Sequence, residues 1–300
     1  MKKVILAIGG IIVVTAFWYF FIKSYDYQVN FKAKTFPGAI NQVIKAWGVT
    51  MEGSEILDQK DITRLTQSLK FGDSTHIYTW KIKKINDSLS QIKVFASDKD
   101  YSLKNKLQIP FLDTDFEKNT RKTLEDFIKT LDEHLEKFKV EIAEEESTRT
   151  TYCACTELQT SQIGKAEGMM GDFPLLTAVI SENNLKSNGP PFLEVINWDK
   201  EKDSIQFKFC FPIQQMDTLP EHPEVEYRNY DSRPALKAIY NGNYITSDRA
   251  WYALIDYAKE NDIKITGLPI EVFHNNPNMG GNELDWKAEI YMPIKVDLNE

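Results

Sequence analysis

Cysteine, histidine and clustered glycine are scarce in this chain, and each scarcity closes off a class of chemistry. Three cysteines in 300 residues, Cys153, Cys155 and Cys210, are too few for a disulfide scaffold. Their C-x-C spacing is not that of a zinc knuckle, and no histidine lies nearby to complete a site. They are expected to pack as small apolar residues, with a disulfide from Cys210 to Cys153 or Cys155 as the alternative. The four histidines, His76, His134, His222 and His274, show no metal-ligand spacing. The glycines between Gly164 and Gly171 lack the phosphate-loop and dinucleotide patterns. There is no G-x-S-x-G elbow and no H-E-x-x-H. A basic surplus is missing too: 36 Lys and Arg against 44 Asp and Glu give a net charge of −8. That balance argues against a general nucleic-acid binder. No cofactor and no metal are expected, and the charge alone says nothing about a substrate.

One long apolar run is present. Met1-Lys2-Lys3 precedes an uncharged stretch from Val4 to Ile22, closed by Lys23. Nineteen helical residues span roughly 28 Å, about the thickness of a bilayer's hydrocarbon core. Trp18, Tyr19, Phe20 and Phe21 crowd the far end, where aromatic rings favour the interface. A cleaved signal peptide would have a shorter apolar region ending in small residues. Residues 1–23 are therefore read as a single-pass signal anchor. Lys2 and Lys3 favour a cytoplasmic N-terminus, which places the remainder outside the cytoplasm, in the periplasm, although Lys23 weakens that bias.

The apolar fraction of 42% is enough for real cores, and the length allows two domains beyond the anchor. Val29 to Ala33 alternates, and Pro37 opens a helical segment through Ile40, Val43, Ile44 and Trp47. Alternating runs follow at Ile62–Leu69, His76–Ile85, Ser90–Ala96 and Leu103–Ile109, which predict an antiparallel sheet. From Asp115 to Val140, Leu124, Phe127, Ile128, Leu131, Leu135 and Phe138 keep one-face helical spacing. This order of strand, helix, meandering sheet and long last helix resembles the START-like (SRPBCC) helix-grip fold. The resemblance covers residues 24–145 and implies a curved sheet around the last helix, often with a hydrophobic cavity. Glu144 to Thr151 reads as a charged linker.

From Tyr152 a weak internal repeat appears. Asn188-Gly189-Pro190-Pro191-Phe192 matches Thr266-Gly267-Leu268-Pro269-Ile270 at an offset of 78 residues. Glu182-Asn183-Asn184-Leu185-Lys186 matches Glu260-Asn261-Asp262-Ile263-Lys264 at the same offset. Phe209-Cys210-Phe211-Pro212-Ile213 matches Ile290-Tyr291-Met292-Pro293-Ile294. Each half reads strand, helix, Gly-Pro turn and a strand pair. The fold class is thus α+β: a membrane helix, a helix-grip module, then a duplicated strand-helix-strand-strand domain with an antiparallel sheet.

The second half carries a more specific pattern. Asp248-Arg249-Ala250-Trp251 opens a helix, and Gly267-Leu268-Pro269-Ile270-Glu271-Val272-Phe273 reads as a strand with one acid in it. Asn276-Pro277 and Ala288-Glu289-Ile290-Tyr291-Met292-Pro293 follow. Residues 152–296 resemble the GyrI-like family, the effector-binding domain of AraC-type and multidrug-responsive regulators. Phe273 and Asn276 depart from the Tyr and Asp common in that pattern. The resemblance implies a groove for a small, often cationic and aromatic ligand.

Strand parity puts Glu271 with Phe273 and Glu289 with Tyr291. The expected groove is lined by these acid-plus-aromatic sides, with Ile270 and Val272 on the helix-packing side. The ligand-binding candidates are Glu271, Glu289, Phe273, Tyr291, Trp251 and Tyr244, with Tyr240 and Trp198 as further aromatic walls. A solvated strand glutamate paired with Lys208 or Lys287 is the competing reading.

Function divides between a membrane-anchored small-molecule binder, a sensor or scavenger that does not touch DNA, and, as the resemblance to stand-alone GyrI-like proteins implies, a hydrolase of electrophilic small molecules using a pocket Glu as general base. A lipid carrier built on the first module is a weaker third reading. Binding is favoured over catalysis, and the oligomeric state is not legible.

Overall fold

The computed structural model describes residues 2–86 and 88–296, in two compact units, Met1–Glu133 and His134–Glu300. Both are built from helices and antiparallel sheets.

The first unit begins with α1 (Lys2–Phe17), 16 residues long, which passes into a π-helical turn at Trp18–Ile22. Among the described residues no helix is long and apolar enough to cross a membrane, so the expected spanning helix is not found. The apolar run is there, but its last five residues leave the α-helical path before Lys23. Met1 lies outside the described residues.

Next come β1 (Tyr27–Ala33), α2 (Pro37–Val49), β2 (Glu55–Asp61), β3 (Arg64–Phe71), β4 (Ser74–Asn86) and β5 (Leu89–Asp98). Pro37 sits in the first turn of α2, where its missing N–H costs nothing. The five strands form one antiparallel sheet in the order β1-β5-β4-β3-β2. Trp47, Trp80 and Phe127 meet edge to face at 4.8–6.4 Å and fill its core. Phe127 comes from α4 (Asp115–Leu135), preceded by the short α3 (Ser102–Gln108).

One expectation fails here for a physical reason. The run Leu103–Ile109 is α3 and its C-cap, not a strand, because Leu103 and Leu107 are one helical turn apart. β2 carries no alternation in its sequence, because none of its side chains is buried.

The second unit contains β6 (Phe138–Ile142), β7 (Glu146–Ser147), β8 (Thr151–Ser161), α5 (Lys165–Glu182), β9 (Phe192–Asp199) and β10 (Ser204–Ile213). It continues with β11 (Glu226–Tyr230), β12 (Pro234–Gly242), α6 (Arg249–Glu260), β13 (Ile270–Phe273) and β14 (Lys287–Pro293). The division between the units falls in the last turn of α4. Phe138 opens a strand that pairs with β12 instead of extending the helix. The expected linker also holds structure, since β7 pairs with β12 through Pro234↔Ser147.

The nine-stranded sheet runs β11-β8-β10-β9-β13-β14-β12-β6, with β7 beside β12. Its order is symmetric about the β9–β13 pairing, with β8-α5-β9-β10 on one side and β12-α6-β13-β14 on the other. Residues matched at the offset of 78 take matched conformations. Asn184 and Asp262 both adopt positive φ, 53° and 54°, just past the ends of α5 and α6. Both residues can take the left-handed conformation that closes a helix. The turns that follow also correspond, with Asn188 N–H bonded to the Pro212 carbonyl and Thr266 N–H to that of Pro293.

Cys155 and Cys210 face each other across the β8–β10 ladder and are bonded as a disulfide, while Cys153 is free and buried. The expectation of three reduced packing cysteines is corrected for that pair.

Candidate functional site

The register of the central strands decides which side chains meet. In the β13–β14 ladder Ile270 is opposite Tyr291, Val272 opposite Glu289, and Glu271 opposite Ile290. Directly opposed residues project from the same face of a sheet. Ile270, Val272, Glu289 and Tyr291 therefore share one face, and Glu271 and Phe273 share the other. β9 extends the pattern, since Phe192 is opposite Val272 and Leu193 opposite Glu271.

The face carrying Glu271 packs under the helices. Glu271 is fully buried, and Lys165, the first residue of α5, donates to Oε1 at 2.9 Å and to Oε2 at 3.0 Å. The Ser247 hydroxyl lies 2.8 Å from Oε2, and the Trp251 indole N–H donates to Oε1. Burial pushes the Glu271 carboxyl above its ordinary range, and the Lys165 charge with the Lys165 and Ser247 hydrogen bonds offsets that only in part. Trp251 is itself buried, its ring 5.1 Å from that of Trp198. This is a closed polar knot beneath two helix starts, with its acceptors filled by protein donors.

On the same face a cavity of about 320 Å³ opens between α5 and the segment after β13. Met169, Met170 and Phe173 from α5 line it with Phe209, Phe211, Tyr244 and Phe273. The Tyr244 and Phe273 rings meet at a tilt, their centroids 4.8 Å apart. The Tyr244 hydroxyl donates to the Lys287 carbonyl at 2.8 Å and accepts from Asn275 N–H at 3.1 Å. Burial pushes that hydroxyl up to about 12.

The opposite face carries a second, smaller cavity of about 120 Å³. Phe192 and Tyr230 supply aromatic walls, meeting at 5.0 Å edge to face. Ile270 and Val272 form the apolar floor, and Tyr291, Glu289, Arg233 and His274 add polar edges. Tyr230 rests against the disulfide, its hydroxyl 3.3 Å from Cys210 Sγ.

Glu289 is the charged centre of this face. Lys287 donates to it at 2.8 Å, Lys237 approaches to 3.4 Å, and His274 Nε2 lies 3.2 Å away. The Tyr291 hydroxyl donates to its other oxygen at 3.1 Å. Burial alone raises this carboxyl, but the Lys287 hydrogen bond and the charges of Lys237 and His274 outweigh it and hold it at about 2. Glu194, facing Ile270 across the ladder, is similarly taken by Arg233 at 2.7 Å. Among the described residues no group of His, Cys, Asp and Glu has the arrangement of a metal site.

Residues 155–295 match the family described as GyrI-like small molecule binding domain. This part of the chain is a GyrI-like domain. Among solved structures, the EcmrR C-terminal domain is 12% identical, covering 53% of this chain and 98% of that one at a TM-score of 0.44. SAV2435 bound to tetraphenylphosphonium is also 12% identical, with 52% and 94% covered and a TM-score of 0.37. A hydrolase from Listeria innocua is 8% identical, with 51% and 92% covered and a TM-score of 0.33. No curated protein sequence matches the chain.

Within the GyrI-like domain the six candidate residues divide into three places. Glu289 and Tyr291 line the smaller cavity. Phe273 and Tyr244 line the larger one on the other face. Glu271 and Trp251 line neither and lie buried in the knot with Lys165. The common groove for both glutamates is thus not formed, because parity within a strand cannot say which side of the sheet a pair occupies. Ile270 and Val272, expected to pack on helices, floor the cavity beside Glu289. Of the two competing lysine partners, Lys287 pairs with Glu289, while Lys208 pairs with Glu157 and Glu226.

Lys165, Phe192, Tyr230 and Arg233 stand outside the six residues expected from the sequence. Phe192 carried a signal, being matched to Ile270 at the offset of 78. Lys165 carried none, since 106 residues separate it from Glu271.

Proposed function

We propose that the GyrI-like domain binds a small molecule bearing one aromatic or apolar ring in the cavity over β9, β13 and β14, without converting it. The observation that carries this reading is the convergence of Phe192, Tyr230 and Tyr291 on Ile270 and Val272 around about 120 Å³. An engineered apolar cavity of roughly 150 Å³ takes up benzene. Ligand sites also combine an apolar lining with a few convergent polar groups, here Glu289, Arg233 and His274.

A preference for cations has little support. Glu289 already has Lys287, Lys237 and His274 around it, and Arg149 and Arg233 line the same cavity. Glu271 is neutralised by Lys165 and has no exposure. A ring with a neutral hydrogen-bonding group fits this balance better than a free cation.

Base catalysis by either glutamate is disfavoured for two different reasons. A general base works best with a pKa near the working pH and within reach of the proton it takes. Glu289 is held at about 2, and Glu271 is enclosed by its donors. The lipid-carrier reading of the first unit is weakened by the rings of Trp47, Trp80 and Phe127 at its centre. The START-like resemblance remains our reading of that unit, supported by its order of strand, helix, four strands and closing helices.

For location we propose attachment to a membrane through residues 4–22, with the two units on the extracytoplasmic side. Val4, Leu6, Ile11, Val14 and Phe17 are all more than half exposed, as a helix apolar all round would be before it meets lipid. Carbonate extraction of membranes from cells making the full chain tests attachment. Release into the soluble fraction would contradict it.

The binding reading is tested by ligand-observed NMR with one-ring aromatic compounds, neutral, cationic and anionic, against the wild-type chain and Tyr291→Ala. Neutral rings should show saturation transfer that Tyr291→Ala weakens about tenfold, in line with the loss of about 1.4 kcal/mol of ring contact. Exclusive binding of cations would overturn the charge argument.

A further inference from the structure

In the first unit, α3 is amphipathic in the sense opposite to that of a helix facing water. Its polar side is the buried one. Asn105 and Lys106 are each 5% exposed. The Lys106 ammonium donates to the Lys23 carbonyl at 2.5 Å and to the Phe20 carbonyl at 3.4 Å, and lies 3.9 Å from Asp26 Oδ1. The Tyr19 hydroxyl returns a bond to the Lys106 carbonyl at 3.3 Å, and Ser102 donates to Asp26 at 2.5 Å. These contacts lock α3 to the end of the apolar N-terminal segment by its charged face.

The apolar side of α3 is left outside. Leu103 and Leu107, one turn apart, are 52% and 54% exposed, and the turn that follows adds Phe111 at 84% and Leu112 at 61%. Phe21 and Ile22, in the π-helical turn to which α3 is bonded, are 70% and 60% exposed. Soluble surfaces rarely gather this many large apolar side chains, and a contiguous patch of this kind marks an interaction site.

We propose that α3 and the turn after it enter the interfacial layer of a lipid bilayer, so that the first unit rests on the membrane by a second contact. The lipid surface is chosen over a protein partner because α3 is bonded to the end of the apolar run of residues 4–22, through Tyr19, Phe20 and Lys23. Lys106, fixed to the carbonyls of Phe20 and Lys23, couples the two. A helix lying in the interface needs no spanning length, only an apolar face turned to the acyl chains. Trp18, Phe21, Tyr101 and Phe111 are all exposed, and such rings favour the headgroup boundary of a bilayer. This inference rests on the membrane attachment proposed above, and its test reads the two separately.

The full chain offers a clean labelling background, because Cys155 and Cys210 are bonded and Cys153 is buried. An environment-sensitive fluorophore is placed at Leu107→Cys or Phe111→Cys, at Val13→Cys in the N-terminal run, and at Lys122→Cys on α4. The probe is a vesicle of phosphatidylcholine and phosphatidylglycerol with brominated acyl chains. The labels at 107 and 111 should shift to the blue on mixing and lose at least half their intensity to the bromines, while the label at 122 changes little. Quenching at 13 with none at 107 or 111 would overturn the inference and leave the N-terminal attachment standing. Quenching at 107 and 111 without 13 would uphold it and remove that attachment. No quenching at any position would overturn both. Labels at 107 and 111 already blue-shifted before lipid is added would overturn it in favour of contact with a second copy of the chain.

Discussion

Val272 stands directly across the β13–β14 ladder from Glu289, so Glu271, one residue along, faces the other side of the sheet. Two carboxylates eighteen positions apart in the sequence thereby serve different ends. Glu289 borders a cavity with Tyr291, and Glu271 ties α5 and the start of α6 to the sheet through Lys165, Ser247 and Trp251.

The Lys165–Glu271 pair should behave as a structural ion pair. Removing one partner of a buried pair leaves an uncompensated charge and costs about 3–5 kcal/mol, while replacing both by apolar residues is often near neutral. Urea unfolding should show Lys165→Met and Glu271→Leu each strongly destabilised and the double variant recovering much of the loss. Single variants as stable as wild type would show that the pair is not formed.

Glu289 sets an acid limit. Its folded carboxyl lies near 2 against an ordinary value of 4.5, so the ionised form favours the fold. That contribution is complete above about 4.5 and is lost as pH falls towards 2. Thermal melts between pH 6 and about 2.5 should therefore lose less stability in Glu289→Gln than in wild type. Parallel pH profiles for the two proteins would contradict the depressed value.

The Cys155–Cys210 disulfide closes a loop with a sequence separation of 55. A cross-link over that span restricts the unfolded chain by about 4 kcal/mol in the chain-entropy treatment. Cys155→Ala with Cys210→Ala should lower the unfolding free energy by about 2–4 kcal/mol, measured in guanidinium under non-reducing conditions. Cys153→Ala should cost less, since it removes only a buried thiol. A larger loss from Cys153→Ala than from the pair would contradict the assignment.

Much of this architecture was legible beforehand, and the misses share a cause. Repeats, helix faces and strand alternation are local, so α2, most of α4, α6 and the central strands were found. Asn184 and Asp262, matched in the sequence, share a positive φ. Register is not local. Whether Glu271 and Glu289 share a face depends on which residue of β13 meets which residue of β14, and parity within each strand leaves both answers open. Lys165 illustrates the same limit, since its pairing with Glu271 exists only once α5 is laid on the sheet. The seven residues of α3 are too few to separate a period of two from one of 3.6, so the sequence reads equally as a strand.

The larger cavity on the helix side supplies a control. If the ligand sits over β9, β13 and β14, Phe173→Ala and Met170→Ala should leave its affinity within about twofold, since they line only the other face. Titration calorimetry with the best ring compound checks this, and a tenfold loss in either variant would move the site to the helix face.

The central claim is tested most directly by filling the smaller cavity. Val272 lies on its floor, half-buried, and an indole in its place would occupy most of about 120 Å³. Calorimetric titration of Val272→Trp with the ring compound that wild type binds best is the decisive measurement. The account predicts that binding is abolished while the thermal unfolding transition stays cooperative. Wild-type affinity in a folded Val272→Trp protein would contradict it.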